Sequence, residues 1–404
     1  MIDPASAVLA GVTAAGAAQS AAGWLAVRRF SRRRAAAPAA RLPVTVLKPL
    51  HGDEPLLEQA LASYCLQDYP AFQIVFGVQD AADPALRVLR RLRARFPDVD
   101  MAVVVDPTPH GANRKIANLI NMLPQAKHEI LVIADSDIHA APDYLDSLVR
   151  SLAAPGVGLV TTLYAGLPAG DSLTGRLGAA GINHAFLPGA LLARAMGRQD
   201  CMGATMALTR DTLDLIGGLH ALSDHLADDA VLGRLVRAQG LGVALAATVP
   251  ATTVPETRMP ALFQHELRWA RTIQSLVPVE FALSAVQYPL FWSALLVGTS
   301  GGAAWACLVF MLAWMVRGAS AWGVERHLGL APGLAIWCLP LRDLLSMAVI
   351  LASYRTDRVA WRGQTMRATR LRHLPGPTLS SGLSSGLASG ARLSSSPSFS
   401  PGKG

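Results

Sequence analysis

In ILVIADSDI (130–138), five apolar residues run straight into Asp135, Ser136 and Asp137. An apolar run of this length suits a strand buried on both faces of a parallel sheet, and such a strand has no structural need for two carboxylates at its end. Asp-x-Asp there suits a hard divalent cation, Mg²⁺ or Mn²⁺, which prefers carboxylate oxygens and often bridges substrate phosphates. The plainer alternative is a cap, with Asp137 ahead of a helix beginning near Pro142.

Three further stretches carry reactive side chains, each with an ordinary structural alternative. HGANRKIANLINML (110–123) sets Gly111, Asn113, Arg114 and Lys115 at the mouth of a helix, where backbone N–H groups and cations attract phosphate. The alternative is a solvated basic turn. LADDAVLGRL (226–235) places Asp228 beside Asp229. Repulsion between the two keeps one carboxyl at a raised pKa suited to proton abstraction, unless both are simply N-terminal helix acids held by the dipole. FQHELRWARTIQ (263–274) sets Arg268 and Trp269 on an amphipathic helix just before an apolar region. There, Trp and Arg are also ordinary interfacial anchors.

These groups need a scaffold. Between about residues 43 and 165, strand-like runs (44–50, 72–80, 101–106, 129–137 and 157–164) alternate with amphipathic stretches such as ALRVLRRLRARF and YLDSLVRSLA. That alternation predicts an α/β domain on a parallel sheet, with ligands at the carboxyl ends of the strands. Asp80, Asp106, Asp135 and Asp137 all fall at such ends.

The chain has 404 residues, a net charge of +8 and a mean hydropathy of +0.33. Its basic residues are concentrated beside apolar segments, a membrane pattern rather than a nucleic-acid one. Residues 5–27 are uncharged and just long enough to span a bilayer. Asp3 precedes them and Arg28, Arg29, Arg32, Arg33 and Arg34 follow, which is the wrong order for a cleavable signal peptide and puts everything from Arg28 onward in the cytosol. Residues 284–316 and 332–353 are long and apolar, and GTSGG can break the first into a hairpin. Two C-terminal crossings are expected. The four cysteines fall at no metal-binding spacing and fit a reducing compartment. The expected layout is an anchor (1–27), a basic linker (28–42), a catalytic domain (43–283), a C-terminal membrane region (284–353), a basic juxtamembrane segment (354–373) and a disordered Ser/Gly/Pro tail (374–404). Residues 172–197, small and apolar around Asn183 and His184, border a lipid entrance or form a plain core helix. Arg342 and Asp343, inside an apolar segment, pair with each other or meet a headgroup.

The order LKPL, VQDAADPA, GANRK, ADSD, ADD and RW, between apolar ends, resembles the ceramide glucosyltransferase-like enzymes, glycosyltransferase family 21. That family is close to family 2 and has a GT-A (Rossmann-like) catalytic domain. The likeness covers roughly residues 43–275 and, more loosely, VAWRGQTMR (359–367). Within the family, LKPLHG, HGANRK, ADSDI and HELRWART are most similar to the bacterial hopanoid-associated branch.

The resemblance implies a membrane-bound, inverting transfer of one sugar from a UDP-sugar to a lipid hydroxyl. Asp80 would lie near the uracil and ribose, and Asn113, Lys115 and Asp135 would serve the nucleotide. Asp135 and Asp137 would hold Mg²⁺ or Mn²⁺, Asp229 would be the base, and Arg268 and Trp269 would close the (Q/R)xxRW motif. His265 stands where that motif has Gln or Arg, with Gln264 one place too early, so its charge varies with pH. The implied reaction is N-acetylglucosamine from UDP-GlcNAc to a hopanoid polyol, bacteriohopanetetrol; the alternative is glucose from UDP-glucose to ceramide. The implied location is the bacterial inner membrane, multi-pass, with the catalytic domain facing the cytosol. A processive polysaccharide synthase needs more spanning helices than this chain has, and a soluble nucleotide-binding module does not fit its apolar ends. A catalytically inactive membrane scaffold is the alternative of another class.

Overall fold

Strand formation follows the apolar runs: Val44–Pro49 (β1), Phe72–Val78 (β2), Asp100–Val105 (β3) and Ile130–Ala134 (β4). A computed structural model describes residues 3–33 and 40–355, together with the backbone of 358–361 and 364–367. The next strands are Ile138–His139 (β5), Val157–Thr161 (β6), Ala165–Pro168 (β7), Thr205–Thr209 (β8), Gly242–Leu245 (β9) and Ala251–Val254 (β10). Seven of them form one sheet in the order β3-β2-β1-β4-β8-β6-β9. A small second sheet, β5-β10-β7, lies against the end of β4 through the Asp135–Ile138 turn.

The sheet is mixed, not wholly parallel as expected. β3, β2, β1 and β4 are parallel, but β8 inserts antiparallel between β4 and β6. TMALT is a five-residue run inside a helical stretch, too short for its period to distinguish strand from helix. Its pairing with β4 (Val132 with Ala207) is a long-range choice. The α/β class stands.

Helices cover the sheet: Leu57–Cys65 (α2), Ala85–Arg95 (α3), Arg114–Met122 (α4) and Tyr144–Leu152 (α5) follow the N-terminal helix Pro4–Ser31 (α1). In α3 only Ala85, Val88, Leu89 and Leu92 are buried, the spacing of one helix face, while its arginines stay outside. Further on come Leu173–Gly181 (α6), a π-helical turn Ile182–Phe186, Leu187–Ala195 (α7), Arg210–Leu215 (α8), Asp228–Ala238 (α9) and Met259–Leu276 (α10).

The apolar ends pack together. Pro278–Leu283 (α11), Pro289–Thr299 (α12), Ala304–Leu328 (α13) and Leu339–Ser353 (α14) complete the described helices. Pro4–Ser31, Ala304–Leu328 and Ile336–Ser353 are long and apolar enough to cross a membrane, and Pro278–Gln287 with Pro289–Thr299 makes a pair bent by 66°. GTSGG ends α12 and begins the link to α13, with Gly301 and Gly302 at φ +64° and +78°, a conformation that favours glycine. The small residues of α1 serve contact: a Cβ on Gly16 would stand 2.2 Å from the Val286 carbonyl oxygen.

Arg342 and Asp343 do not pair with each other. Arg342 meets Glu266 of α10, and Asp343 meets Arg317 of α13 at 3.4 Å. Adjacent helix residues point about 100° apart, so each reaches a different neighbour. The expected tail from 374, and half of the basic segment 354–373, lie outside the described residues.

Candidate active site

The carboxyl ends of β1, β2 and β4 share one edge of the sheet because the three strands are parallel. β4 is buried along its whole length, so Asp135 is its first polar residue. The Asp135 N–H donates to the Ala204 carbonyl at 3.3 Å, and its own carbonyl accepts from Ile138, turning the chain. Asp137 then faces β10: Thr252 Oγ1 donates to Asp137 Oδ2 at 2.5 Å, and the Thr253 N–H donates to the Asp137 carbonyl at 3.1 Å. Burial, then the charge of Asp135, pushes the Asp137 carboxyl up to about 6.

Beneath this turn lies Lys48, which sequence reasoning missed. Its Nζ donates to the Asp135 carbonyl at 2.5 Å and sits 3.9 Å from the centre of the Tyr64 ring. It is fully buried, and desolvation pulls it down to about 7 against the opposing pull of Asp137, Asp135 and Glu54. Glu54, also missed, accepts from Ser136 Oγ at 2.7 Å. The available signal was a lysine inside the apolar run VTVLKP, since an unpartnered ammonium is costly in a core.

α4 delivers Lys115 to the same place. The Asn113 side chain caps the helix, accepting from the N–H groups of Lys115 (3.0 Å) and Ile116 (3.2 Å), while its Nδ2 donates to the His225 carbonyl at 2.8 Å. Lys115 Nζ lies 2.7 Å from Asp135 Oδ1 and 3.5 Å from Asp228 Oδ2. Burial works to pull this ammonium down, but Asp135 and Asp228 outweigh it and hold it above the usual lysine range.

Asp228 and Asp229 open α9. Burial and then the Asp228 charge push the Asp229 carboxyl up to about 6. Its Oδ1 accepts from the Ala230 N–H at 2.7 Å, and a Cβ on Gly203 would stand 3.0 Å from its Oδ2. The turn at 203–204 therefore touches both the Asp229 carboxyl and the Asp135 backbone. The Tyr164 hydroxyl is pushed up by burial first, and then by the charges of Asp229, Asp135 and Asp137 together.

The other two expected groups stand farther out. Asp80 is exposed two residues beyond β2, accepting from the Ala82 N–H at 2.8 Å. It shares the sheet edge, but among the described residues no hydrogen bond or ion pair joins it to the Lys115 cluster. On α10, His265 Nδ1 contacts Glu256 Oε1, and its ring lies edge-on to Trp269 at 4.5 Å. Burial would raise Glu256, but the hydrogen bond and charge of His265 outweigh it and hold the carboxyl low, with Arg268 adding to the effect. Glu256 follows β10, so one short segment links the partner of Asp137 to the partner of His265.

A divalent ion finds two protein carboxylates here, and no described group of three or more His, Cys, Asp or Glu side chains. The donor set suits one all the same. Burial and then the charge of Asp135 raise Asp137, a cost that a cation between the two carboxylates relieves, and a nucleotide diphosphate supplies the remaining oxygens such ions take.

Residues 8–373 match the family described as Glycosyl transferase family 21. The chain belongs to this family. Among relatives, this family 21 chain is 24% identical over 237 residues to ceramide glucosyltransferase 1 of Caenorhabditis elegans, covering 58% of this chain and 50% of that one. It is 33% identical over 135 residues to the ceramide glucosyltransferase of Komagataella phaffii, covering 31% and 26%. The chain spans about half or less of the length of the curated relatives it matches. A mannosyltransferase from Pyrobaculum calidifontis, solved with GDP-Man and Mn²⁺, superposes with a TM-score of 0.51 at 20% identity, covering 87% of this chain and 99% of that one. The fold is GT-A.

Proposed function

We propose that this family 21 chain is a membrane-bound, inverting glycosyltransferase that moves one sugar from a UDP-sugar to a lipid hydroxyl. One observation carries the reading: Lys115 bridges the Asp-x-Asp carboxylate Asp135 to the Asp228–Asp229 pair at the carboxyl edge of the sheet. Asp135 and Asp137 are the residues that would hold Mg²⁺ or Mn²⁺, which neutralises charge on a departing diphosphate. Lys115 supplies fixed positive charge to the same phosphates. Asn113 acts through it, because its buried side chain is engaged in capping. Asp80, exposed at the edge, is free to meet the nucleoside.

Asp229 takes the proton from the acceptor hydroxyl as that oxygen attacks the anomeric carbon. The bond to the nucleotide breaks in the same displacement, so the configuration inverts. A carboxyl raised to about 6 accepts a proton near neutrality more readily than an ordinary aspartate. Arg268, Trp269 and His265 border the leaving diphosphate. The apolar bundle sets the cleft at the bilayer surface, and the arginines ending α1 support a cytosolic face at a bacterial inner membrane.

For the acceptor, likeness to ceramide glucosyltransferases supports ceramide with UDP-glucose. The hopanoid polyol with UDP-GlcNAc rests on the four short stretches quoted above. Protein in nanodiscs, given each donor with each lipid and read by mass spectrometry, separates the two. One sugar per lipid is expected, lost in Asp229→Asn. A product bearing several sugars would indicate processive synthesis, and no product with any lipid would favour the scaffold alternative.

A further inference from the structure

Glu266 sits on α10 immediately after His265 and two residues before Arg268. It meets Arg342 of the apolar helix α14, with the two side chains only 15% and 4% exposed. Arg342 Nη1 donates to Glu266 Oε1 and Nη2 to Oε2, each at 2.7 Å, a parallel two-bond fork. Nη1 also donates to the Leu177 carbonyl of α6 at 3.1 Å, and Nη2 to Ser346 Oγ at 2.8 Å. The guanidinium lies against Gly181, where a Cβ would stand 3.1 Å from Cζ. One cation therefore ties α6, α10 and α14 together.

Stability alone does not call for such a pair. Apolar residues of similar volume hold helices together as well as a buried ion pair or better, without desolvating two charges. A planar fork adds angular definition, which lysine or an apolar contact lacks. α10 is also held from another side, since His265 contacts Glu256 on the segment that follows the Asp137-binding strand. Two anchors on adjacent residues, about 100° apart around the axis, set the rotation of the helix. Arg268 and Trp269 lie within one turn of both.

We propose that Arg342 and Glu266 are a positioning pair for sugar transfer, fixing from within the membrane bundle the rotation and height of the Arg268–Trp269 end of the active site. The pair touches no substrate and acts through α10. The inference rests on the transferase reading and adds to it a mechanical link between bundle and site.

The test uses full-length protein in nanodiscs and the variants Arg342→Lys, which keeps the charge and loses the fork, and Glu266→Gln, which keeps the shape and loses the charge. Each is measured for kcat, KM for the UDP-sugar, Kd for UDP and thermal midpoint. The expected result is a fall in kcat of about 10- to 100-fold, because small misplacements of reacting groups have effects of that order, with Kd for UDP within about threefold of the parent. Combined with Trp269→Phe, the losses in kcat should be less than additive, because both changes act through the Arg268–Trp269 end of α10. A kcat within about twofold of the parent in a variant that binds UDP normally, or fully additive losses, overturns the pair's positioning role. If Arg342→Lys does not fold, Glu266→Gln carries the same comparison alone. Absence of transfer by the unmodified protein would overturn the transferase reading, and the pair's role with it.

Discussion

The raised carboxyl of Asp229 makes the pH profile the most direct measure of the site. Its two largest causes are burial and the adjacent Asp228; with Asp135 adding to them and Lys115 and the Ala230 N–H opposing, the carboxyl moves from 3.8 to about 6. That difference corresponds to roughly 3 kcal/mol in favour of the protonated form. The base must be ionised to work, so activity is full above the raised value and is lost as pH falls through it. At pH 5 only about a tenth of the carboxyl is ionised, and kcat/KM falls about tenfold below its plateau; an ordinary aspartate would lose less than about a tenth. Asp228→Asn removes the second cause and leaves burial, so its acidic limb should move part of the way toward lower pH. The assay is initial-rate transfer in nanodiscs at subsaturating donor from pH 4.5 to 8, with each sample returned to pH 7.5 to exclude denaturation. Asp137 is also raised to about 6, but a metal competes with its proton. Raising Mn²⁺ tenfold therefore displaces an Asp137 limb and leaves an Asp229 limb in place. A profile flat down to pH 5, or a limb that stays put or moves upward in Asp228→Asn, would refute the assignment.

Thr252→Val removes the hydroxyl that orients Asp137 Oδ2. Mn²⁺ affinity with UDP present, followed by electron paramagnetic resonance, should weaken about 10- to 100-fold, and an unchanged titration would count against Asp137 as a ligand. Gly203→Ala forces a methyl to 3.0 Å from Asp229 Oδ2, so kcat should drop with UDP affinity retained. Unaltered kcat there would mean that Asp229 has room to move without consequence. Arg317→Leu leaves fully buried Asp343 without its charge partner and should cost roughly 3–5 kcal/mol in unfolding experiments in detergent, most of it recovered when Asp343→Leu is added.

Local patterns in the chain carried much of the architecture. Apolar runs marked β1, β2 and β3 within two residues and overran β4 and β6 by three at their carboxyl ends; β1, β2, β4 and β6 are largely buried, and such strands have few alternatives. β8 and β9 were not legible, since each is four or five residues long and is defined by distant partners. Asp135, Asp137, Lys115 and Asp229 were visible as chemical types at meaningful spacings. Asn113 was visible too, although the fold uses its side chain as a cap. Lys48 was marked only by its place in the apolar run VTVLKP, and Glu54 stands alone in its stretch with nothing nearby in sequence to mark it.

By itself the sequence determined the inventory: which residues carry charge, which segments seek burial, and which helices are long and apolar enough to enter a bilayer. Those properties depend on residue type and spacing along a few turns or strands. The tertiary structure decided the partnerships. It set Lys115 between Asp135 and Asp228, placed Gly203 against Asp229, and gave Arg342 to Glu266 rather than to its neighbour Asp343. Each of those contacts joins residues far apart in the chain. A charge's partner is set by which group lies within a few ångströms of it once the core has packed, and no local pattern encodes that distance.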